Sequence, residues 1–139
     1  MNPTPYVFFN GTCRDAANFY VEALGGEIVM IMSASEMPPG EMEIPAERAD
    51  WVMHCTINVG DGAIMMSDNI MGESDNMAGC SIMVSLPSAA EAEAAFKRLA
   101  DGGAITMPFA PTFWSTGFGT LTDKFGIQWM VGSDEEPAS

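Results

Sequence analysis

Basic residues are scarce in this chain: 5 Lys and Arg stand against 19 Asp and Glu in 139 residues, a formal net charge of −14. That balance repels phosphate backbones and excludes nucleic acid as an expected partner, leaving the charge to keep the protein in solution. Histidine occurs once, at His54, and cysteine three times. Cys13, Cys55 and Cys80 show no C-x-x-C spacing, so neither a zinc frame nor a disulfide scaffold is expected, and the thiols read as reduced. No apolar run approaches the roughly 20 residues needed to span a bilayer, so no membrane association is expected. Met1–Pro5 carry neither a basic nor a long apolar stretch; no signal peptide and a cytoplasmic location are the expectations. No strand candidate runs into a Gly-rich turn that opens a helix, so no nucleoside cofactor, and no other cofactor, is expected.

Apolar residues are plentiful at 47%, and 13 of them are methionine, a side chain that fills irregular gaps and lines adaptable pockets. The first strand candidate, Tyr6-Val7-Phe8-Phe9, closes on the turn dipeptide Asn10-Gly11. Thr12 and Asp15 have capping-box spacing and predict a helix near 12–24, with Phe19, Tyr20, Ala23 and Leu24 as its stripe and Gly25-Gly26 as its stop. Strands are expected over 28–32, 51–59 and 63–67, the last two joined through Gly60-Asp61-Gly62. Between them, 35–50 holds Pro38, Pro39, Gly40 and Pro45 among Glu36, Glu41, Glu43, Glu47 and Asp50: a long acidic loop, either a lid or floppy. The order then restarts. A strand over 81–86 precedes the capping box Ser88…Glu91, a helix over 88–101 with Ala92, Ala95, Phe96 and Leu99 inward, and the stop Gly102-Gly103. Strands over 104–107, 119–123 and 127–131 complete the half, and 134–139 reads as a disordered acidic tail.

Local echoes support a duplication. Leu24-Gly25-Gly26-Glu27-Ile28 answers Gly102-Gly103-Ala104-Ile105, and Gly62-Ala63-Ile64-Met65-Met66 answers Gly126-Ile127-Gln128-Trp129-Met130. One half alone would leave a sheet face bare, so two must pair, within the chain or across a dimer. The predicted fold class is α+β, two βαβββ modules (about 4–68 and 79–132).

That doubled unit, with Pro5-Tyr6-Val7-Phe8-Phe9, Glu36-Met37-Pro38, His54, Met65-Met66-Ser67-Asp68, Thr112-Phe113-Trp114, Gly117-Phe118-Gly119, Thr122-Asp123-Lys124-Phe125-Gly126 and Trp129-Met130, resembles the vicinal oxygen chelate superfamily in its PhnB-like branch. The resemblance implies curved mixed sheets around a cup with helices outside, and a homodimer. Its metal-using members place four ligands on the first and last strands of each half; by strand position those places here are Pro5, Met66, Ser81 and Met130. Proline, two thioethers and a lone hydroxyl do not hold a hard divalent ion, so no metal is expected. Demethylubiquinone methyl transfer, a name borne by some of the branch, has no nucleoside-binding turn to support it here.

Strand alternation puts His54 on one face with Thr56 and Asn58. A three-residue Gly60-Asp61-Gly62 loop pairs His54 with Asp68, the arrangement of a poised general base; a two-residue Asp61-Gly62 loop sets it opposite Asn69 and turns Met66 inward. Phe113, Trp114, Phe118, Phe125 and Trp129 fall within seventeen residues, enough to wall a ligand site, a dimer interface or a core. The leading expectation is a metal-free protein that sequesters or senses an apolar or aromatic molecule. Met66, Met130, Ser81, Phe113, Trp114, Phe118 and Trp129 are its ligand-lining candidates, with His54 at the rim. The alternatives are a metal-independent isomerase or lyase with His54 as base and Asp68 orienting it, and a divalent-metal lyase or dioxygenase using His54, Asp68 and a loop glutamate.

Overall fold

The computed structural model describes residues 1–38, 40 and 43–137. The expectations at Pro39, Glu41, Ala138 and Ser139 lie outside the described residues. The chain divides into two compact units, Met1–Asp75 and Asn76–Ser139.

In the first, β1 (Tyr6–Phe9), α1 (Cys13–Leu24), β2 (Glu27–Ser33), β3 (Val52–Val59) and β4 (Gly62–Asp68) build a sheet in the order β1-β4-β3-β2. β1 runs parallel to β4, and the remaining pairs are antiparallel. The second unit repeats this with β5 (Ile82–Leu86), α2 (Ala89–Ala100), β6 (Ala104–Ala110), β7 (Phe118–Thr122) and β8 (Gln128–Ser133), ordered β5-β8-β7-β6. The expected doubled βαβββ order is present, and each helix covers one face of its own sheet.

The two helices start differently. Ser88 caps α2 as expected, its Oγ accepting from the Glu91 amide at 3.2 Å. Thr12 makes no side-chain cap on α1. The buried Asp68 carboxylate at the end of β4 takes over: Oδ1 accepts from the Gly11 and Cys13 amides (2.8 and 3.0 Å), and Oδ2 from the Val52 amide (2.9 Å). One charged side chain thus ties together the entry to α1, the start of β3 and the end of β4. The inward stripe of α1 is Cys13, Ala16, Ala17, Tyr20 and Ala23, so Phe19 and Leu24 stand at its margin; small residues bring the helix close to the sheet. On α2 the inward set is Ala92, Ala95, Phe96 and Leu99, as the pattern predicts.

Both Gly-Gly stops serve two separate needs. Gly25 and Gly102 carry positive φ (73° and 79°), the left-handed turn that closes a helix. Gly26 and Gly103 press against strand carbonyls, of Asn58 and Thr122, where a Cβ has no room. Two boundaries differ from expectation. β6 continues through Pro108 to Ala110 because it is an edge strand, where a missing N–H costs no ladder bond. The acidic tail begins tied rather than disordered: the Asp134 amide donates to the Leu86 carbonyl (2.7 Å), and Glu135 Oε1 accepts from the Ala89 amide (3.3 Å). The acidic loop is also closed at its base. The Ala34 and Ser35 amides donate to the carbonyls of Trp51 and Ala49, and Arg48, stacked 4.3 Å over Trp51, donates to the carbonyls of Asn69, Ile70 and Gly72.

Asp68→Ala is expected to lower unfolding free energy by about 3 kcal/mol, since it strands three amides, two of them wholly buried contacts. Gly26→Ala should also destabilise, whereas Gly72→Ala, with only the Asn69 side chain nearby at ordinary contact distance, should cost under about 1 kcal/mol. Urea titrations of the three variants give the ranking.

Candidate functional site

In the first module α1 covers the sheet face that carries Val7, Phe9, Cys55, Ile57, Ile64 and Met66, all buried. The opposite face carries the alternate residues. Its register forms one cross-strand row, Tyr6–Met65–Thr56–Met30, and a second in which Met32 pairs with His54 and Phe8 with Ser67. Tyr6, Phe8 and Met30 are exposed there, at 40, 54 and 44% of their surface.

The face has a single polar chain. Tyr6 Oη lies 3.0 Å from His54 Nδ1, and His54 Nε2 lies 3.0 Å from Thr56 Oγ1. Tyr6 packs against Phe8 and the imidazole, with ring centroids 5.0 and 5.6 Å away. The pairing arises because His54 and Thr56 alternate on β3, while the tyrosine reaches diagonally over β4 from β1.

The β3–β4 loop is the two residues Gly60-Asp61, with Val59 paired to Gly62. Neither expected register is the observed one, although the parity is that of the two-residue alternative, which puts Met66 on the apolar face as observed. His54 and Asp68 lie on opposite faces of the sheet, and Asp68 is spent on backbone amides, so a His54–Asp68 dyad does not exist. Tyr6, which the sequence did not single out, is the group that meets His54. Its signal was available only in hindsight, as the polar-tipped aromatic of β1 at the parity of Met65.

In the second module α2 covers Ile82, Phe96-facing Gly119, Leu121, Trp129 and Val131. The opposite face carries the row Met83–Met130–Thr120–Met107. Of the ligand-lining candidates, Met130 stands in this row and Phe118 beside it, buried. Trp114 meets Phe118 edge-on at 5.6 Å and Phe113 meets Trp114 at 4.7 Å, so an aromatic ladder climbs from the sheet to an almost fully exposed Phe113. Ser81 is exposed just ahead of β5. Trp129 and Met66 are elsewhere. Trp129 is fully buried on the helix side, its indole N–H donating to Asp123 Oδ2 at 2.8 Å, and Met66 is fully buried between Val7 and Cys55. Ser115 and Thr116 serve the loop: Ser115 Oγ donates within reach of the Gly117 and Ser133 carbonyls, and Thr116 Oγ1 donates to Ser133 Oγ.

The positions matched to metal ligands do not make a hard-ion site. Met66 is under α1, Pro5 and Ser81 lie outside the strands, and no three His, Cys, Asp or Glu converge among the described residues. Thiol chemistry at the two inner cysteines is also disfavoured. Burial pushes the Cys13 thiol far up, with the Asp68 carboxylate adding to it, and burial raises Cys55 despite the opposing pull of Arg14. Both are therefore neutral thiols near pH 7.

Comparison with known proteins agrees with this architecture. The family model of the Glyoxalase/Bleomycin resistance protein/Dioxygenase superfamily matches residues 4–131. YjdN of Escherichia coli K12 is 33% identical, with 92% of each chain covered. Protein PA1353 of Pseudomonas aeruginosa superposes with a TM-score of 0.87 at 39% identity, over 98% of this chain and 99% of that one. A PhnB protein of Bacillus cereus, provisionally named a 3-demethylubiquinone-9 3-methyltransferase, gives 0.79 at 28% identity, over 96 and 99%. No helix among the described residues is long and apolar enough to cross a membrane.

With Cys13 and Cys55 buried and Cys80 exposed, a thiol reagent should modify one cysteine rapidly in the native protein and three after unfolding. Raised folded-state thiol pKa values mean that the unfolded chain releases these protons first. Stability is full below the ordinary thiol value of about 9 and should fall as pH rises above it; thermal melts at pH 7 and 10 measure the difference.

Proposed function

The chain belongs to the Glyoxalase/Bleomycin resistance protein/Dioxygenase superfamily, and from that premise we propose that it is a metal-free binder of apolar or aromatic small molecules. The observation that carries this reading is the sheet face opposite α1. There, Tyr6, Phe8, Met30 and Met65 surround one hydrogen-bonded polar chain, and no three His, Cys, Asp or Glu converge among the described residues. Apolar walls with a few fixed polar groups are the usual makeup of a ligand site. Thioethers add an adaptable surface that suits aromatic rings through sulfur–π contacts. The exposed Trp114 and Phe113 of the second module supply further aromatic area of the same kind.

A second reading, a metal-independent isomerase or lyase with His54 as base, draws on the Tyr6–His54 contact, in which the phenol takes the orienting place once assigned to Asp68. The methyl-transfer name of the Bacillus protein finds no support here. β1 leads through Asn10-Gly11-Thr12 into a helix whose first amides are held by Asp68, and β5 leads into one capped by Ser88, so neither forms a glycine-rich nucleoside cradle. We also propose a cytoplasmic homodimer, a reading that the exposed Phe8, Met30, Met83, Met107 and Trp114 support by offering apolar surface a partner chain could cover.

A panel of planar aromatic compounds should change the tryptophan emission saturably without added metal. His54→Gln should weaken binding roughly three- to tenfold while shifting stability by under about 0.5 kcal/mol. Conversion of a bound compound into product would favour the enzymatic reading, and loss of melting temperature with unchanged affinity would make His54 structural. Sedimentation at micromolar concentration should give a species of twice the 14.8 kDa chain mass; a single species at the chain mass would contradict the dimer.

A further inference from the structure

The two modules contain the same cross-strand row. Thr56 pairs with Met65 and Met30, and Thr120 pairs with Met130 and Met107. The first edge-strand irregularity falls at the matching place in each module, between Ile28 and Met30 and between Ile105 and Met107, which fixes the equivalence of the two Met–Thr–Met rows; the second falls beyond Met32 in one and before Ala110 in the other. On that alignment Met83 stands where the first module has Tyr6, since each pairs with the row's central methionine. Phe118, two residues before Thr120, stands where the first module has His54, two residues before Thr56. The second module is therefore an internal control. It builds the same strand order and the same Met–Thr–Met row, with a thioether and a phenyl ring at the places of the phenol and the imidazole, although its edge strand carries one extra residue before the Phe118 pair. Tyr6 and His54 are not needed for this architecture.

What the pair adds follows from counting protons. With a neutral imidazole, the chain Tyr6–His54–Thr56 holds three hydrogen-bonding protons, on two hydroxyls and one ring nitrogen, but contains only two hydrogen bonds. One proton is always left over. If Thr56 donates to Nε2 and Nδ1–H donates to Tyr6, the phenol O–H is free to donate outward. If Tyr6 donates to Nδ1 and Nε2–H donates to Thr56, the phenol oxygen is free to accept. The two arrangements differ by a tautomer of the imidazole and two hydroxyl rotations, with no change of charge. Tyr6 Oη, on a residue 40% exposed and flanked by Phe8 and Met65, can thus offer either polarity to one ligand atom.

We infer that Tyr6 Oη, backed by His54 and Thr56, is the point that reads a single oxygen on a planar aromatic ligand, accepting either a hydroxyl or a carbonyl there. This rests on the small-molecule reading above and specifies its ligand class. Tyr6 touches the ligand; His54 and Thr56 position it and supply the exchangeable proton. Within the two rows beside Tyr6 a second polar oxygen on the ligand finds no comparable partner, because the rest of them is methionine, phenylalanine and the buried Ser67.

The test uses the full chain and three probes of one shape: naphthalene, 2-naphthol as hydroxyl donor and 2-acetylnaphthalene as carbonyl acceptor. Wild-type protein is expected to bind both oxygenated probes roughly three- to tenfold more tightly than naphthalene, the effect of one net hydrogen bond. The double variant Tyr6→Met with His54→Phe installs the pair found in the second module. It should bind all three probes with ratios near one, whatever its absolute affinity for naphthalene. Tyr6→Phe alone should flatten the same ratios, and it decides the matter if the double variant does not fold. His54→Gln should retain part of the preference for one oxygenated probe and lose it for the other, a split that simple loss of packing does not produce. Equal binding of all three probes to wild type, or an oxygen preference that survives Tyr6→Phe, overturns the inference and leaves the small-molecule reading intact. If wild type binds none of the three, both fall.

Discussion

A one-residue step in the β3–β4 hairpin governs what each side of the first sheet presents. Because side chains alternate with period two, register parity decides whether Met65 or Met66, and Ser67 or Asp68, enters the core. The loop is Gly60-Asp61, with positive φ at Gly60 and none at Asp61, the pattern of a two-residue turn whose twist matches the strands. With that loop in place, Met66 and Asp68 go beneath α1, and Asp68 becomes available to hold the helix entry. Met65 and His54 remain on the opposite side, within reach of Tyr6. Lengthening the loop by one residue would reverse all of these assignments together.

Most of the architecture was legible because it rests on local signals. Hydrophobic alternation marked the strands, Ser88…Glu91 marked a helix start, and each Gly-Gly pair marked a stop, all within a few residues of the observed ends. The site was less legible because it depends on long-range parity. Gly60-Asp61-Gly62 offers three turn-compatible residues in succession, and adjacent Met65-Met66 gives no polar contrast with which to choose a register. The internal echo that set Met66 beside Met130 is out by one. The first hairpin turns in two residues, whereas in the second Thr122 pairs with Gln128 across five, so the partner of Met130 is Met65. That slip set Met66 on the ligand side, whereas Trp129 was named from the aromatic cluster, which carries no parity to place it. Asp68 looked catalytic for a related reason: a carboxylate near a lone histidine in sequence carries no mark that it will be consumed by amides of Gly11, Cys13 and Val52.

The duplicated halves have diverged in chemistry far more than in geometry. Core positions hold different residues of similar purpose, such as Cys55 opposite Met66 in one half and Gly119 opposite Val131 in the other. Gly119 is glycine because Phe96 of α2 and the backbone of Met107 and Phe109 approach it closely, so bulk moved from the strand to the helix. Each half has also placed a buried carboxylate at its own weak point. Asp68 serves a helix entry, whereas Asp123 closes the β7–β8 turn on the Phe125 and Ile127 amides and anchors the Trp129 indole. Fixed register with locally exchangeable contacts allows this.

The Met–Thr–Met rows have an evolutionary consequence. Alternation separates each strand into two independent sets of heritable positions, one answerable to the core and one to solvent. A gene encoding this chain can therefore drift at the sites of Tyr6 and His54, or recruit a new side chain at the exposed Met83, without renegotiating the packing of either helix. Two copies of one scaffold then act as two separately mutable palettes, in which the outward side chains can change while the core that folds each half is inherited unchanged.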